Sequence, residues 1–228
     1  MASKFSILGS TALALSLFAL TGTARADITV YTSLAAFQAA VGTTGTDTFA
    51  GMSITGATAT PINRSAGSFS YTGSVLPTSG TTTNNNFFAG GTTANPFLAT
   101  NRAGDTMSFS NFSAGVVAAG GNFFASDAAG LFTAVGGVIV TATDASGTIT
   151  QTIAPTSASA GSFLGFVSTT GVTSFTVASN IAAAGVGIWP SADNLVLATA
   201  APVPEPSSYA MLMAGLGLAA WVVRRRRA

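Results

Sequence analysis

Residues 68–75 read "SFSYTGSV", with apolar and hydroxyl side chains taking turns. A period of two is the mark of a strand with one dry face and one wet face. The pattern recurs from Ile28 to Ala200 in short runs broken by glycine. It predicts strands at 28–32, 46–51, 68–75, 105–112, 115–126 and 193–200. Two hairpins are predicted, one over 136–155 turning at Asp144 to Gly147, the other over 162–179 turning at Thr169 to Gly171. Residues 33–41 read as a short helix, with Ser33 as cap and Leu34, Phe37 and Val41 on one face. Residues 79–96, rich in Thr, Asn and Gly, read as a long loop. No strict repeat period is visible. The fold class expected is mainly β: an antiparallel β-sandwich, jelly-roll-like, with one short helix near the start.

Composition narrows the chemistry. Charged residues make up 7% of the chain, against about 25% in a typical soluble domain. There is no cysteine and no histidine. Disulfides, thiolate metal sites and Ser-His-Asp catalysis are therefore excluded. Between Asp27 and Val203 the charges are Arg64 and Arg102 against Asp27, Asp47, Asp105, Asp127, Asp144 and Asp193, a formal −4. A nucleic-acid partner needs a basic stripe to neutralise phosphates, and this segment has none.

The two ends read as addresses. Lys4, the uncharged apolar stretch after it and the small residues Ala24 and Ala26 form a secretory signal cut after Ala26, so signal peptidase is an expected partner. At the other end, Ser207 to Val223 are 17 residues without charge, followed by Arg224, Arg225, Arg226 and Arg227. As a helix, that stretch spans roughly 26 Å, at the short end for a bilayer core of about 30 Å. Carrying four arginines through lipid costs on the order of 10 kcal/mol, so they hold their end in the cytoplasm and residues 27–200 lie outside. Pro204 and Pro206 keep Val203 to Pro206 extended, with Glu205 presented at the membrane face. The resulting organisation is a signal peptide (1–26), an exported domain (27–200), a proline-rich linker (201–206), a transmembrane helix (207–223) and a basic tail (224–228).

This order of motif, short helix and arginine cluster resembles the PEP-CTERM sorting tail of Gram-negative bacteria, also known as the C-terminal motif of ice-binding proteins. The resemblance implies that an exosortase recognises Pro204, Glu205 and Pro206 and removes the helix and arginines beyond them. The protein would rest only transiently in the inner membrane before reaching the surface or medium, often among exopolysaccharide and biofilm. The stretches "NFFASDAAG", "GVIVTATDASGTI", "SFLGFVSTTGVTSFTV" and "ADNLVLA", within about 110–200, resemble the β-sandwich domain of many PEP-CTERM proteins. That domain is similar in layout to jelly-roll carbohydrate-binding modules.

Candidate site residues are set by context. "NNNFF" (84–88) and "GIWPSADN" (187–194) look like loops carrying aromatic rings. Asn84, Asn85, Asn86, Phe87, Phe88 and Trp189 thus form the candidate glycan loop, amides bonding hydroxyls and rings stacking on C–H faces. The other aromatics, Tyr71, Phe97, Phe123 and Phe124, read as core. Asp127 and Asp144 read as turn residues. Asp193, taken to open the last strand, is either a structural Ca²⁺ ligand or an acceptor of backbone N–H bonds; no other cofactor or metal is expected. The function expected is that of a non-enzymatic surface or matrix protein. The alternatives are a carbohydrate-binding module, an ice-binding protein, for which the threonine spacing along the chain is irregular, and a glycoside hydrolase using paired aspartates.

Overall fold

The computed structural model describes residues 28–78, 85–159, 161–180, 187–202 and Leu216. The expected signal (1–26), sorting residues 203–206 and arginines 224–227 lie outside the described residues, as do Asn84 and, Leu216 aside, the 207–223 stretch. No helix among the described residues is long and apolar enough to cross a membrane.

The described chain forms two antiparallel sheets. One contains β1 (Thr29–Tyr31), β2 (Val41–Asp47), β3 (Ala57–Ala59), β6 (Asn86–Thr92), β7 (Asn95–Thr100), β9 (Ala118–Ser126), β10 (Phe132–Thr133), β13 (Phe163–Val167) and β15 (Trp189–Ala200). The other contains β4 (Ile62–Ala66), β5 (Phe69–Leu76), β8 (Thr106–Ser110), β11 (Val138–Asp144), β12 (Gly147–Ile153) and β14 (Val172–Ser179). The nine-stranded sheet runs β1-β13-β9-β15-β7-β6-β3, with β2 on β15 and β10 on β9; the six-stranded sheet runs β12-β11-β14-β8-β5-β4. The antiparallel sandwich read from the alternation is the fold observed.

Alternation decides what enters the core. Along β11, Val138, Val140 and Ala142 point inward while Ile139, Thr141 and Thr143 stay half-buried outside. Phe109, Phe175 and Val177 join them from the six-stranded sheet, facing Phe87, Leu98, Phe123 and Leu197 from the other. Phe175 is the meeting point, stacked on Phe109 at 4.6 Å between centroids and edge-on to Phe123 at 5.6 Å. On the outer face the register lines up hydroxyls that looked irregular in sequence. Thr148, Thr143, Ser174, Ser110 and Thr72 stand opposite one another strand by strand, and Thr150, Thr141, Thr176, Ser108 and Ser74 form the next row.

α1 (Leu34–Ala40) is capped as expected, the Ser33 hydroxyl accepting the Ala36 N–H at 3.2 Å. Its expected face is corrected. Phe37 and Val41 are buried in one cluster, although Val41 already belongs to β2, while Leu34 is 42% exposed and leaves that face. Seven residues give two turns and room for one anchor. Phe37 occupies the space that a side chain at Gly165 of β13 would take.

Four further expectations change. The 79–96 loop is, from Asn86 onward, the β6–β7 hairpin. The 162–179 hairpin is no hairpin: β13 and β14 belong to different sheets, and residues 168–171 carry the chain across the sandwich. Buried Ser168 secures that crossing by donating to Asp144 Oδ2 at 2.8 Å. The 46–51 strand ends at Asp47 after starting at Val41, and the last strand begins at Trp189, not Asp193. β3 and β4 carry weak patterns and were not anticipated.

An ionic clamp joins the sheets beside the Phe core. Asp47, at the end of β2, is buried and accepts from Arg64 Nε (2.6 Å) and Nη2 (2.7 Å), Tyr71 O–H (2.7 Å) and Phe49 N–H (2.8 Å). Arg64 and Tyr71 come from β4 and β5 of the opposite sheet. The guanidinium also lies 5.5 Å from the centre of the Phe49 ring. Phe49 has φ 55°, a left-handed conformation that costs a non-glycine residue about 1–2 kcal/mol. The Asp47 and Arg64 contacts hold it there.

Burial acts to raise the Asp47 carboxyl. The hydrogen bonds from Arg64 and Tyr71, the guanidinium charge and the Phe49 N–H together outweigh it and hold the group below its ordinary range. Tyr71 is pushed up, by burial first and then by the Asp47 charge. Because the folded-state value is depressed, the clamp stabilises fully above the ordinary carboxylate range and is lost as pH falls through the lowered value. Tyr71→Phe removes one hydrogen bond to a charged group, worth about 1.5–3 kcal/mol. Urea unfolding is expected to show that loss at pH 7, with the gap to wild type closing as acid protonates Asp47.

Candidate functional site

The outer face of the nine-stranded sheet carries a cleft. Trp189 pairs with Ser126 across β15 and β9; two residues along, Ser191 lies opposite Phe124 and, on its other side, Ala99 of β7. Ala99 in turn pairs with Phe88 of β6. These residues share the face turned away from the main core, since their neighbours Phe87, Leu98, Phe123 and Ala192 point into it. Phe97, Ala99 and Phe124 make a small outer cluster covered by Phe132.

The turn Asp127 to Leu131 closes one side. Asp127 Oδ1 accepts the N–H groups of Ala129 and Leu131, both at 2.9 Å. Gly130 O then accepts the Gly91 N–H at 2.9 Å, tying the turn to β6. Gly90 is required here, because an added Cβ would lie 2.8 Å from Gly130 O and run into the Phe97 ring. The cleft encloses about 420 Å³, part of it open to solvent, and is lined by Phe88, Thr100, Asn101, Ser126, Asp127 and Trp189 among others. Ser191 and Ser126 share a buried hydrogen bond at 2.8 Å, and Thr100 Oγ1 donates to Arg102 O at 2.7 Å. Two half-buried rings, Phe88 and Trp189, thus stand with the Asp127 carboxylate and the Asn101 amide in one cleft, while the Ser126 and Thr100 hydroxyls are buried and engaged within the protein.

The two stretches singled out in the sequence do converge, but not as loops and not entire. Phe88 and Trp189 face one cleft, both from strands. Phe87 is fully buried in the core and offers no ring to a ligand. Asn86 sits in β6, where its carbonyl accepts the Asn101 N–H at 2.8 Å; Asn85 precedes that strand and does not line the cleft. Tyr71, Phe97, Phe123 and Phe124 are buried, as core residues should be. Asp144 caps its hairpin turn by accepting from Ser146 and Gly147. Asp127 is a turn residue as read, and it also lines the cleft, which local sequence does not reveal. Asn101 and Thr100 were missed because only the β6–β7 pairing brings them there.

Asp193 lies inside β15, where Asn194 and Leu195 together oppose Gly121 in a bulge. Asn194 takes φ 49°, and its N–H bonds Asp193 Oδ1 at 2.7 Å. No group of three His, Cys, Asp or Glu side chains occurs among the described residues. Calcium calls for six to eight oxygen ligands, and one Asp193 oxygen is already engaged by the Asn194 N–H.

β15, the last strand among the described residues, ends at Ala200. The segment beyond it decides how the domain is handled. Residues 202–227 match the PEP-CTERM protein-sorting motif. No curated protein and no solved structure matches the chain. The PEP-CTERM motif implies a protein that passes the membrane, is processed by an exosortase and is exported to the cell surface. The sandwich is therefore the part that works outside the cell.

Burial raises the Asp193 carboxyl, offset in part by the Asn194 N–H. The folded state then holds that proton more tightly than the unfolded chain, so ionising Asp193 costs stability above the ordinary carboxylate range. Asp193→Asn keeps the acceptor and removes the charge. Its melting temperature is expected to exceed wild type at pH 7, with the advantage shrinking as pH falls into the carboxylate range; thermal unfolding across pH checks this.

Proposed function

We propose that the exported sandwich is a non-enzymatic surface or matrix protein that holds neutral polysaccharide in the Phe88–Trp189 cleft. The single observation that carries this reading is the convergence of two aromatic rings, from strands distant in sequence, on one open cleft that Asp127 and Asn101 also line. A sugar ring presents apolar C–H faces to rings and hydroxyls to amide, hydroxyl and carboxylate groups. Among the described residues lining the cleft, Asp127 is the one carboxylate. A two-carboxylate glycosidase needs a second within about 5–9.5 Å, so the donor set favours binding over hydrolysis. The sorting tail supports an exopolysaccharide setting for the delivered domain.

Ice binding, a second reading, draws on the hydroxyl rows of the six-stranded sheet. The ordinary twist of about 20–25° between neighbouring strands turns such rows away from a flat lattice, so the cleft carries the preferred reading.

Trp189 and Trp221 are the two tryptophans of the chain, and Trp221 lies within the segment removed by sorting. In the processed protein, fluorescence therefore reports on the cleft directly. Titration with neutral oligosaccharides from the producing cell's own exopolysaccharide is expected to shift Trp189 emission saturably. Phe88→Ala is expected to weaken that binding about two- to ten-fold, the value of one aromatic contact. No shift with any such oligosaccharide would contradict the proposal.

A further inference from the structure

The sheet edges differ sharply in how they are protected. A free edge presents unpaired N–H and C=O groups that another strand can complete, and native proteins blunt such edges by shortness, charge, proline, bulges or cover. β1 and β3 have three residues each, and β10 has two. β2 has the backbone of Ala66 and Gly67 lying against Gly45. β4 follows Pro61 and carries Arg64. β12 has none of these devices. It is seven residues long, "GTITQTI", with no charge and no proline, and it pairs with β11 along its whole length without a shift in register. It ends the six-stranded sheet, and nothing among the described residues pairs with its outer side.

We propose that β12 joins β12 of a second copy of this chain, antiparallel across a two-fold axis at Gln151, so that two six-stranded sheets become one continuous sheet. The strand is complementary to itself in this register. Thr148, Thr150 and Thr152 form its outer row, and Ile149, Gln151 and Ile153 point to the other side. Ile149 and Ile153 are only partly buried against the core. With Gln151 on the axis, Ile149 meets Ile153 of the second copy twice over, and the two exposed apolar edges cover each other. Thr150 likewise meets Thr152, extending the row that Thr150 already shares with Thr141, whose hydroxyl lies 2.9 Å away. A foreign strand would have to reproduce this pattern; a second copy supplies it by symmetry. The pairing closes at two copies, because the opposite edge, β4, is protected.

The chain has no cysteine, so Gln151→Cys gives a single thiol on the proposed axis. In the full-length chain, held in detergent, sedimentation is expected to give a dimer, and mild oxidation of Gln151→Cys is expected to link the copies. Ser65→Cys on β4 is expected to stay unlinked. Thr150→Lys with Thr152→Lys sets like charges opposite one another at the junction and is expected to halve the sedimenting mass. Ser174→Lys, on the same face but in an interior strand, is expected to leave the dimer whole. Retained cooperative unfolding of the lysine variant shows that it still folds. A wild-type monomer, a dimer that survives both lysines in a folded variant, or equal linking at positions 151 and 65 would each overturn the proposal.

Discussion

The fold rests on taking the inner faces of two sheets out of water together. Phe175 shows why neither sheet stands without the other: one side of its ring stacks on Phe109 of its own sheet, and its edge meets Phe123 of the opposite one. Each fully buried ring of this kind contributes about 1.5–3 kcal/mol relative to exposure. With so few charges in the chain, this burial carries most of the cohesion. The Asp47 clamp adds direction rather than bulk. It fixes one end of β2 against β4 and β5, and it holds Phe49 in a backbone conformation that a phenylalanine does not adopt unaided.

The sequence was most legible where local rules and tertiary demands agree. Ser33 caps α1, Asp144 turns the β11–β12 hairpin, and the alternation of 68–75 reappears as inward and outward positions along β5. It was least legible where small residues serve packing. Gly90 and Gly91 make the β6–β7 hairpin look like a loop, yet Gly90 is small because Phe97 and Gly130 O occupy the space around it. The 162–179 stretch misleads for another reason. Strand, turn and strand look alike whether the second strand pairs with the first or crosses to the other sheet, and the hydroxyl of Ser168 on Asp144 records a choice made in three dimensions. The Asp47–Arg64–Tyr71 cluster spans 17 and 24 positions, too far apart for any local pattern to join them. Only part of the candidate glycan loop survives for a related reason: alternation sends Phe87 inward and Phe88 outward.

The outer surfaces divide the labour. One sheet offers a cleft floored by Phe88 and Trp189; the other offers rows of threonine and serine ending in an unguarded strand. All the described strands precede Pro202: β15, between β9 and β2, is the last of them and ends at Ala200. Removal of the segment after the sorting motif would take none of the described strands with it.

That separation between a sandwich whose described strands end at Ala200 and a sorting tail removed after them is the central claim, and intact mass with terminal peptide mapping of the protein recovered from the cell surface or medium tests it most directly. The account predicts a chain that begins at Asp27 and lacks residues 207–228. A surface-exposed chain that still carries Arg224 to Arg227 would contradict it.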